Sequence, residues 1–214
     1  MRDTSYQAVY TKFKLFIQGK CKVIFHARNR PRGQRMIKLL WPGDVKGMHI
    51  LIQSRSEMYI YLPAFRKVRR IAGHVRNQGF LGSDFNYDDM AISTWSTGYD
   101  VQLSKETKKH YWLDLRAKPG KAVPYFRVAM RIRKDWGVAD TFRFFNRRGK
   151  NTKTQKYSNF KCRSISGHCM PMTIQMINHN RGNRISELRA VKLKYPSAYP
   201  DRMFTIRHLL RNAN

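Results

Sequence analysis

Over most of its length this chain alternates apolar and polar residues with a period of two, in short runs broken by turn residues. In Tyr10–Gln18, Phe13, Leu15 and Ile17 fall on one side and Lys12 and Lys14 on the other. A period of two is the mark of a strand with one face packed and one face wet. The same texture recurs in Lys20–Ala27, Gln34–Leu40, Met48–Gln53, Glu57–Leu62, Arg66–Ile71 and Tyr99–Leu103. It continues in Lys109–Ala117, Phe126–Ile132, Asp140–Asn146, Lys156–Cys162, Met172–His179 and Arg184–Lys194. So many strands in succession, without the spacing of βαβ units, predict a mostly β (α+β) chain built on a curved antiparallel sheet or barrel.

Helical signals are few. Asp3–Tyr10 reads as the tail of an N-terminal helix. Ser83–Thr94 opens on a capping Ser or Asp, with acids in its first turns and Phe85, Met90 and Ile92 as its apolar residues. Asp201–Asn212 carries Met203, Ile206, Leu209 and Leu210 at helical spacing. No low-complexity stretch or Pro/Ser-rich linker marks a boundary, so residues 1–214 are expected to form a single domain.

Charge is the compositional outlier. Forty-three Lys and Arg stand against thirteen Asp and Glu, a net +30 at pH 7. Such a field favours anionic partners: nucleic acid, anionic lipid or an acidic protein. The basic residues are scattered along the chain, however, and no zinc-finger spacing, helix-turn-helix or RNP1 octapeptide accompanies them. Aromatics interleave with them in Tyr59-Ile60-Tyr61 and Phe142-Arg143-Phe144-Phe145. In a two-faced sheet that pattern reads first as core against solvated charge. No specific nucleic-acid partner is expected, although a basic β domain binding nucleic acid is the alternative that charge alone supports.

No apolar run approaches the roughly 18–20 residues that span a bilayer, and Met1-Arg2-Asp3-Thr4 does not open a signal peptide. Cys162 and Cys169 are spaced to face each other across a hairpin and to join if the chain is exported, leaving Cys21 over; three unbonded thiols are the other reading. Cys162, His168 and Cys169 lack the second ligand pair of a zinc site. Ser83 in Gly82-Ser83-Asp84 is no nucleophile elbow, no phosphate loop occurs, and Asp88-Asp89 reads as a surface pair. No catalytic residue, metal or cofactor is predicted, and the chain is not expected to be an enzyme.

The most specific stretch runs from Glu57 to Met90. Met58-Tyr59-Ile60-Tyr61-Leu62-Pro63-Ala64-Phe65-Arg66-Lys67-Val68-Arg69-Arg70-Ile71 leads to Gly79-Phe80-Leu81-Gly82-Ser83-Asp84-Phe85-Asn86-Tyr87-Asp88-Asp89-Met90. Together with Trp41-Pro42-Gly43-Asp44-Val45-Lys46-Gly47-Met48 upstream and Tyr199-Pro200-Asp201-Arg202-Met203-Phe204-Thr205 near the end, it resembles the LolA-like outer-membrane lipoprotein-sorting family.

The resemblance implies an incomplete β-barrel around an apolar cavity with short lid helices, in a periplasmic carrier or receptor of lipid or lipoprotein acyl chains. Partners implied with it are the anionic membrane surface and an inner-membrane RND-type transporter, with the carrier a monomer. Carried onto this sequence, the cavity residues are Trp41, Met48, Met58, Ile60 and Leu62, and the lid residues Phe80, Leu81, Phe85 and Met90. Arg66, Arg69 and Arg70 are the expected contacts for an anionic head group or acidic partner. Ten methionines suit a cavity that adapts to flexible cargo. A regulatory module that uses the same fold to bind a protein is the remaining alternative.

Overall fold

The computed structural model describes residues 8–30, 33–91, 95–162 and 169–211. By its internal contacts the chain divides into two compact units, Met1–Ser93 with Arg189–Asn214, and Thr94–Leu188.

Six strands belong to the first unit: β1 (Val9–Ile17), β2 (Lys20–Asn29), β3 (Arg35–Trp41), β4 (His49–Ile52), β5 (Met58–Leu62) and β6 (Lys67–Arg70). The second holds β7 (Tyr99–Glu106), β8 (His110–Ala117), β9 (Arg127–Arg133), β10 (Val138–Phe145), β11 (Asn151–Cys162) and β12 (Cys169–Asn178). A last strand, β13 (Arg184–Lys194), contributes residues to both. Each of the thirteen alternating runs in the sequence overlaps one of these strands.

The strands are hydrogen-bonded in the order β6-β5-β4-β3-β2-β1-β13-β12-β11-β10-β9-β8-β7, an open sheet with edges at β6 and β7. Consecutive strands are neighbours in the sheet, except β6 and β7 at its two edges. Gln18 and Gly19, at φ 48° and 76°, form the two-residue turn between β1 and β2, where Ile17 faces Lys20. Two successive left-handed residues match the right-handed twist of the flanking strands. On the β7 edge one extra residue, Ser104, bulges out between the Leu103–Leu113 and Lys105–Trp112 pairs, its hydroxyl donating to the Trp112 carbonyl at 2.9 Å.

Helices are short: α1 (Gly73–Arg76), α2 (Tyr87–Ala91) and α3 (Ile206–Arg211). None among the described residues is long and apolar enough to cross a membrane. Three expectations need correction. Val9 and Tyr10 are strand, not the end of a helix, because they pair with Asn29 and Arg28; residues 3–7 lie outside the described residues. Ser83 does not cap α2. Its buried hydroxyl bonds to the Phe85 carbonyl, and Asn86 is the cap: its side chain accepts from the Asp89 N–H at 2.7 Å while the Asp89 carboxylate accepts from the Asn86 N–H at 2.8 Å. The C-terminal run breaks at Thr205 into a 3-10 turn, Asp201–Phe204, and α3, where the Thr205 hydroxyl accepts from the His208 N–H at 3.1 Å. Residues 92–94 and Asn212 of the two expected helices lie outside the described residues.

Candidate functional site

In an antiparallel sheet, residues directly opposite one another share a face. In the first unit this rule assembles one apolar surface from five strands. Phe13 faces Phe25, Phe25 faces Leu39, Ile37 faces Ile50, Ile50 faces Ile60, and Ile52 faces Met58. Phe25, Ile37, Leu39, Ile50, Ile52 and Met58 on this surface are buried.

The segment between β6 and α2 closes over it. The ring of Phe80 lies edge-on to Phe25, at 5.9 Å between centroids, and to Tyr87 at 5.7 Å. Phe85 is also buried. The turn that presents Phe80 folds back on itself: Gly79 bridges Asn86, and the Phe80 N–H donates to the Phe85 carbonyl at 2.6 Å. A Cβ on Gly79 would sit 2.3 Å from the Ser83 carbonyl oxygen, so only glycine fits there.

Ionic contacts fasten this segment to the sheet. Arg35 Nη1 donates to the Met90 carbonyl at 2.5 Å. Asp88, placed among the surface acids by the sequence reading, is in fact buried. Its carboxylate meets Arg55 Nε at 3.3 Å and Arg76 Nη1 at 3.8 Å, and the Arg76 guanidinium also donates to the Arg55 carbonyl. The latch formed by Asp88, Arg55 and Arg76 was not legible in the sequence. Its arginines come from a loop and from α1, in a chain where arginine is too common to stand out.

The expected site residues fall as follows. Met58 is fully buried, Met48, Ile60 and Leu62 are half-buried, and Trp41 is exposed at the end of β3. Phe80, Phe85 and Met90 are buried, and Leu81 is half-buried with a left-handed φ of 50°. Arg66, Arg69 and Arg70 are all exposed, yet they do not form one patch. Arg69 lies opposite Ile60 on the apolar side; Arg70 lies opposite Tyr59 on the other and donates to the Ser56 carbonyl at 3.0 Å.

That other face carries two rows across the strands. One runs Lys12, His26, Lys38, His49, Tyr61, Val68; the next runs Tyr10, Arg28, Met36, Leu51, Tyr59, Arg70. The C-terminal segment packs on its far end, where Met36, Leu51, Tyr61, Phe204 and Leu209 form a buried cluster flanked by Tyr59, Val68, Tyr199 and Met203.

His49 sits there nearly out of solvent, its Nδ1 2.8 Å from the Gly47 carbonyl oxygen. Burial first, then the charge of Lys38, pulls its pKa down to about 4, against an ordinary 6.5. Above pH 6.5 the ring is neutral in both folded and unfolded chains. As pH falls from 6.5 to about 4 the unfolded chain takes up a proton that the folded one resists, so stability declines across that window. The expected loss between pH 7 and pH 4.5 is about 2 kcal/mol, read from urea unfolding at those two values; a His49→Gln variant should lack this part of the slope.

In the second unit the apolar face is aromatic. Phe142 stacks on Trp95 at 5.7 Å and contacts Tyr157 at 5.3 Å, while Tyr125 stacks on Phe144 at 4.1 Å. The Tyr99 hydroxyl donates to the Tyr125 carbonyl at 3.0 Å. A polar hollow of about 420 Å³ on this unit includes Trp112, Arg131, Asp140, Arg143, Lys156 and Glu187 in its lining. Arg131 is committed there to Asp140 by two bonds, at 2.7 and 3.0 Å. Cys162 and Cys169 are directly opposite across β11 and β12 and are joined as a disulfide; Cys21 is free. His168 lies outside the described residues, and among those described no cluster of His, Cys, Asp or Glu could hold a metal ion.

A family model described only as an uncharacterized protein matches residues 31–211. The chain belongs to that family. Comparison with curated proteins finds no match. Among solved structures, a domain named as an outer membrane lipoprotein-sorting protein from Vibrio parahaemolyticus superposes with a TM-score of 0.84 at 20% identity, over 96% of this chain and 92% of that one. A DUF1329 family protein from Desulfovibrio piger gives 0.83 at 21% identity, and a LolA superfamily protein from Nitrosomonas europaea 0.74 at 17%, each over the same 96% and 92%. At these identities the likeness establishes the fold, which is LolA-like.

Proposed function

We propose that this protein is a periplasmic lipid carrier or receptor that takes an acyl chain, free or borne by a lipoprotein, against the apolar face beneath Phe80. The observation that carries this reading is the pairing of a continuous apolar sheet face with a cover held partly by ion pairs. A cover fastened by charges at its rim can be released without dismantling the core beneath it. Ile60 and Leu62, half-buried beside fully buried Met58, are the side chains an entering acyl chain would meet first. Each methylene transferred from water contributes about 0.8 kcal/mol. Arg69, on the same side as Ile60, is the proposed contact for an anionic head group.

Three further features support the reading. The fold is shared with a domain named for outer membrane lipoprotein sorting. The Cys162–Cys169 disulfide suits an oxidising compartment. Trp95, Phe142, Tyr125 and Phe144 of the second unit stack in pairs on one another, so these four rings are not open to the bases of a single strand. Delivery toward the outer membrane from an inner-membrane RND-type transporter, by a monomer without catalytic activity, completes the proposal.

The test is native mass spectrometry with lipid extraction on protein exported to a bacterial periplasm, beside an Ile60→Asp variant. Lipid retained by the parent and lost from the variant is the expected result. Protein that is lipid-free in repeated preparations, and that does not bind a fluorescent fatty acid, would overturn the reading.

A further inference from the structure

Tyr10 in β1, Arg28 in β2, Lys192 and Lys194 in β13, and Pro196 and Tyr199 beyond it line an open hollow of about 240 Å³, with Arg28 half-buried and the two lysines exposed. It belongs to the face of the first unit's sheet opposite Phe25 and Phe80, since Arg28 and Phe25 point to opposite sides of β2. Three of its six lining residues are cations and none is an acid. Among the described residues, Arg28, Lys192 and Lys194 form no ion pair. Asp201, in the segment that follows Tyr199, is engaged by Arg30 instead.

Elsewhere several acids of this chain neutralise cations. In the second unit Asp114 serves Arg116 and Arg127, Asp140 serves Arg131, Asp135 serves Arg133, and Glu106 serves Lys134. The cavity around Arg28 is left uncompensated, and its neighbours feel the charge. His26, 5.0 Å from the ring of Tyr10, is held below the usual histidine range by burial first, then by Arg28, Lys12, Lys38 and Lys192. His208 is lowered by burial, then by Arg28 and Arg202. Cations that line one hollow repel one another, and an anion bound among them relieves that repulsion.

The remaining walls specify the anion. The Arg28 guanidinium carbon lies 5.7 Å from the centre of the Tyr10 ring, so the planar fork is supported along one side. A guanidinium so placed offers paired N–H groups to a phosphate, and the two lysines of the same lining add charge without geometric demand. Tyr10, Pro196 and Tyr199 give apolar flanks for the carbon atoms next to the phosphate. The volume is below that of drug-sized pockets, of order 300–1,000 Å³, and suits a head group better than a whole lipid.

We infer that this cavity binds a phosphate ester, whether the head group of an anionic phospholipid or a soluble phosphomonoester. The site is separate from the apolar face, so loss of lipid in the extraction experiment leaves this inference standing, and the reverse holds as well.

The test compares two variants that each remove three charges: Arg28→Gln/Lys192→Gln/Lys194→Gln at the site, and Lys105→Gln/Lys108→Gln/Lys109→Gln as a control. The probes are glycerol 1-phosphate, followed by the His26 ring resonances, and vesicles of phosphatidylcholine with and without phosphatidylglycerol, followed by co-sedimentation at fixed ionic strength. The expected result is a rise in the His26 pKa on probe binding, and an affinity at least about ten-fold weaker for the site variant than for the control. Binding of glycerol 1-phosphate alone identifies a soluble ester as the ligand, binding of anionic vesicles alone a membrane head group, and binding of both a site that reads the phosphate in either setting. Equal weakening in the two variants, or no binding of either probe, overturns the inference. An Arg28→Lys variant, which keeps charge and fold but loses the fork, should bind more weakly than the parent and more tightly than the triple site variant.

Discussion

Replacing Phe80 by alanine is expected to lower stability by about 3–5 kcal/mol and the thermal midpoint by about 10 °C. Phe80 is only 1% exposed and touches both the sheet, through Phe25, and α2, through Tyr87. Truncation therefore removes buried area and leaves a hole lined by aromatic and aliphatic side chains that relax only in part. Chemical unfolding of parent and variant measures the loss. The same variant bears on function: a saturating acyl ligand that occupies the vacated space should restore part of the stability, because it binds the folded chain alone. A variant within about 1 kcal/mol of the parent would mean that the Phe80 segment is not packed as described.

Asp88→Ala is the second large effect, about 3 kcal/mol. The Asp88 side chain is 5% exposed and stands between Arg55 and Arg76, which are 29% and 22% exposed. Removing the carboxylate takes the Asp88 charge away from two half-buried guanidinium groups. The loss should be concentrated in the cover. Hydrogen exchange across residues 79–91 is expected to accelerate by about a hundred-fold while amides of β1 and β2 keep their protection. Asp88→Asn, which retains shape and can still accept a hydrogen bond, should fall between parent and alanine. Unchanged exchange in the cover of the alanine variant would show that packing alone holds it down.

These two residues also mark where the sequence was informative and where it was silent. Phe80 lies in the segment whose motif drew attention to it, and the strands around it follow from alternation: Met58 and Ile60 fall on one face of β5, Tyr59 and Tyr61 on the other, as a period of two requires. Alternation does not say what covers each face. The residues over Tyr61, Phe204 and Leu209, come from more than 140 positions later, and nothing local to β5 announces them. The Ser83 cap failed for a related reason. Ser83 has the right chemistry, but the chain from Gly79 to Asn86 closes a loop of its own and consumes that hydroxyl before the helix begins. The cationic cavity is the extreme case, since β1, β2 and β13 meet there and the scattered charge of the sequence hides the concentration.

The bulge at Ser104 has a consequence for how this chain behaves in company. β7 is an outer strand whose residues after Tyr99 are all exposed, Val101 and Leu103 among them, and such a strand invites a second chain to pair along it. The extra residue breaks the spacing of backbone donors and acceptors part-way along. An incoming strand in register with Tyr99–Leu103 falls out of register at Lys105, and beyond that point it meets the charges of Lys105 and Glu106. One extra serine thereby limits how far a second chain can pair along this edge.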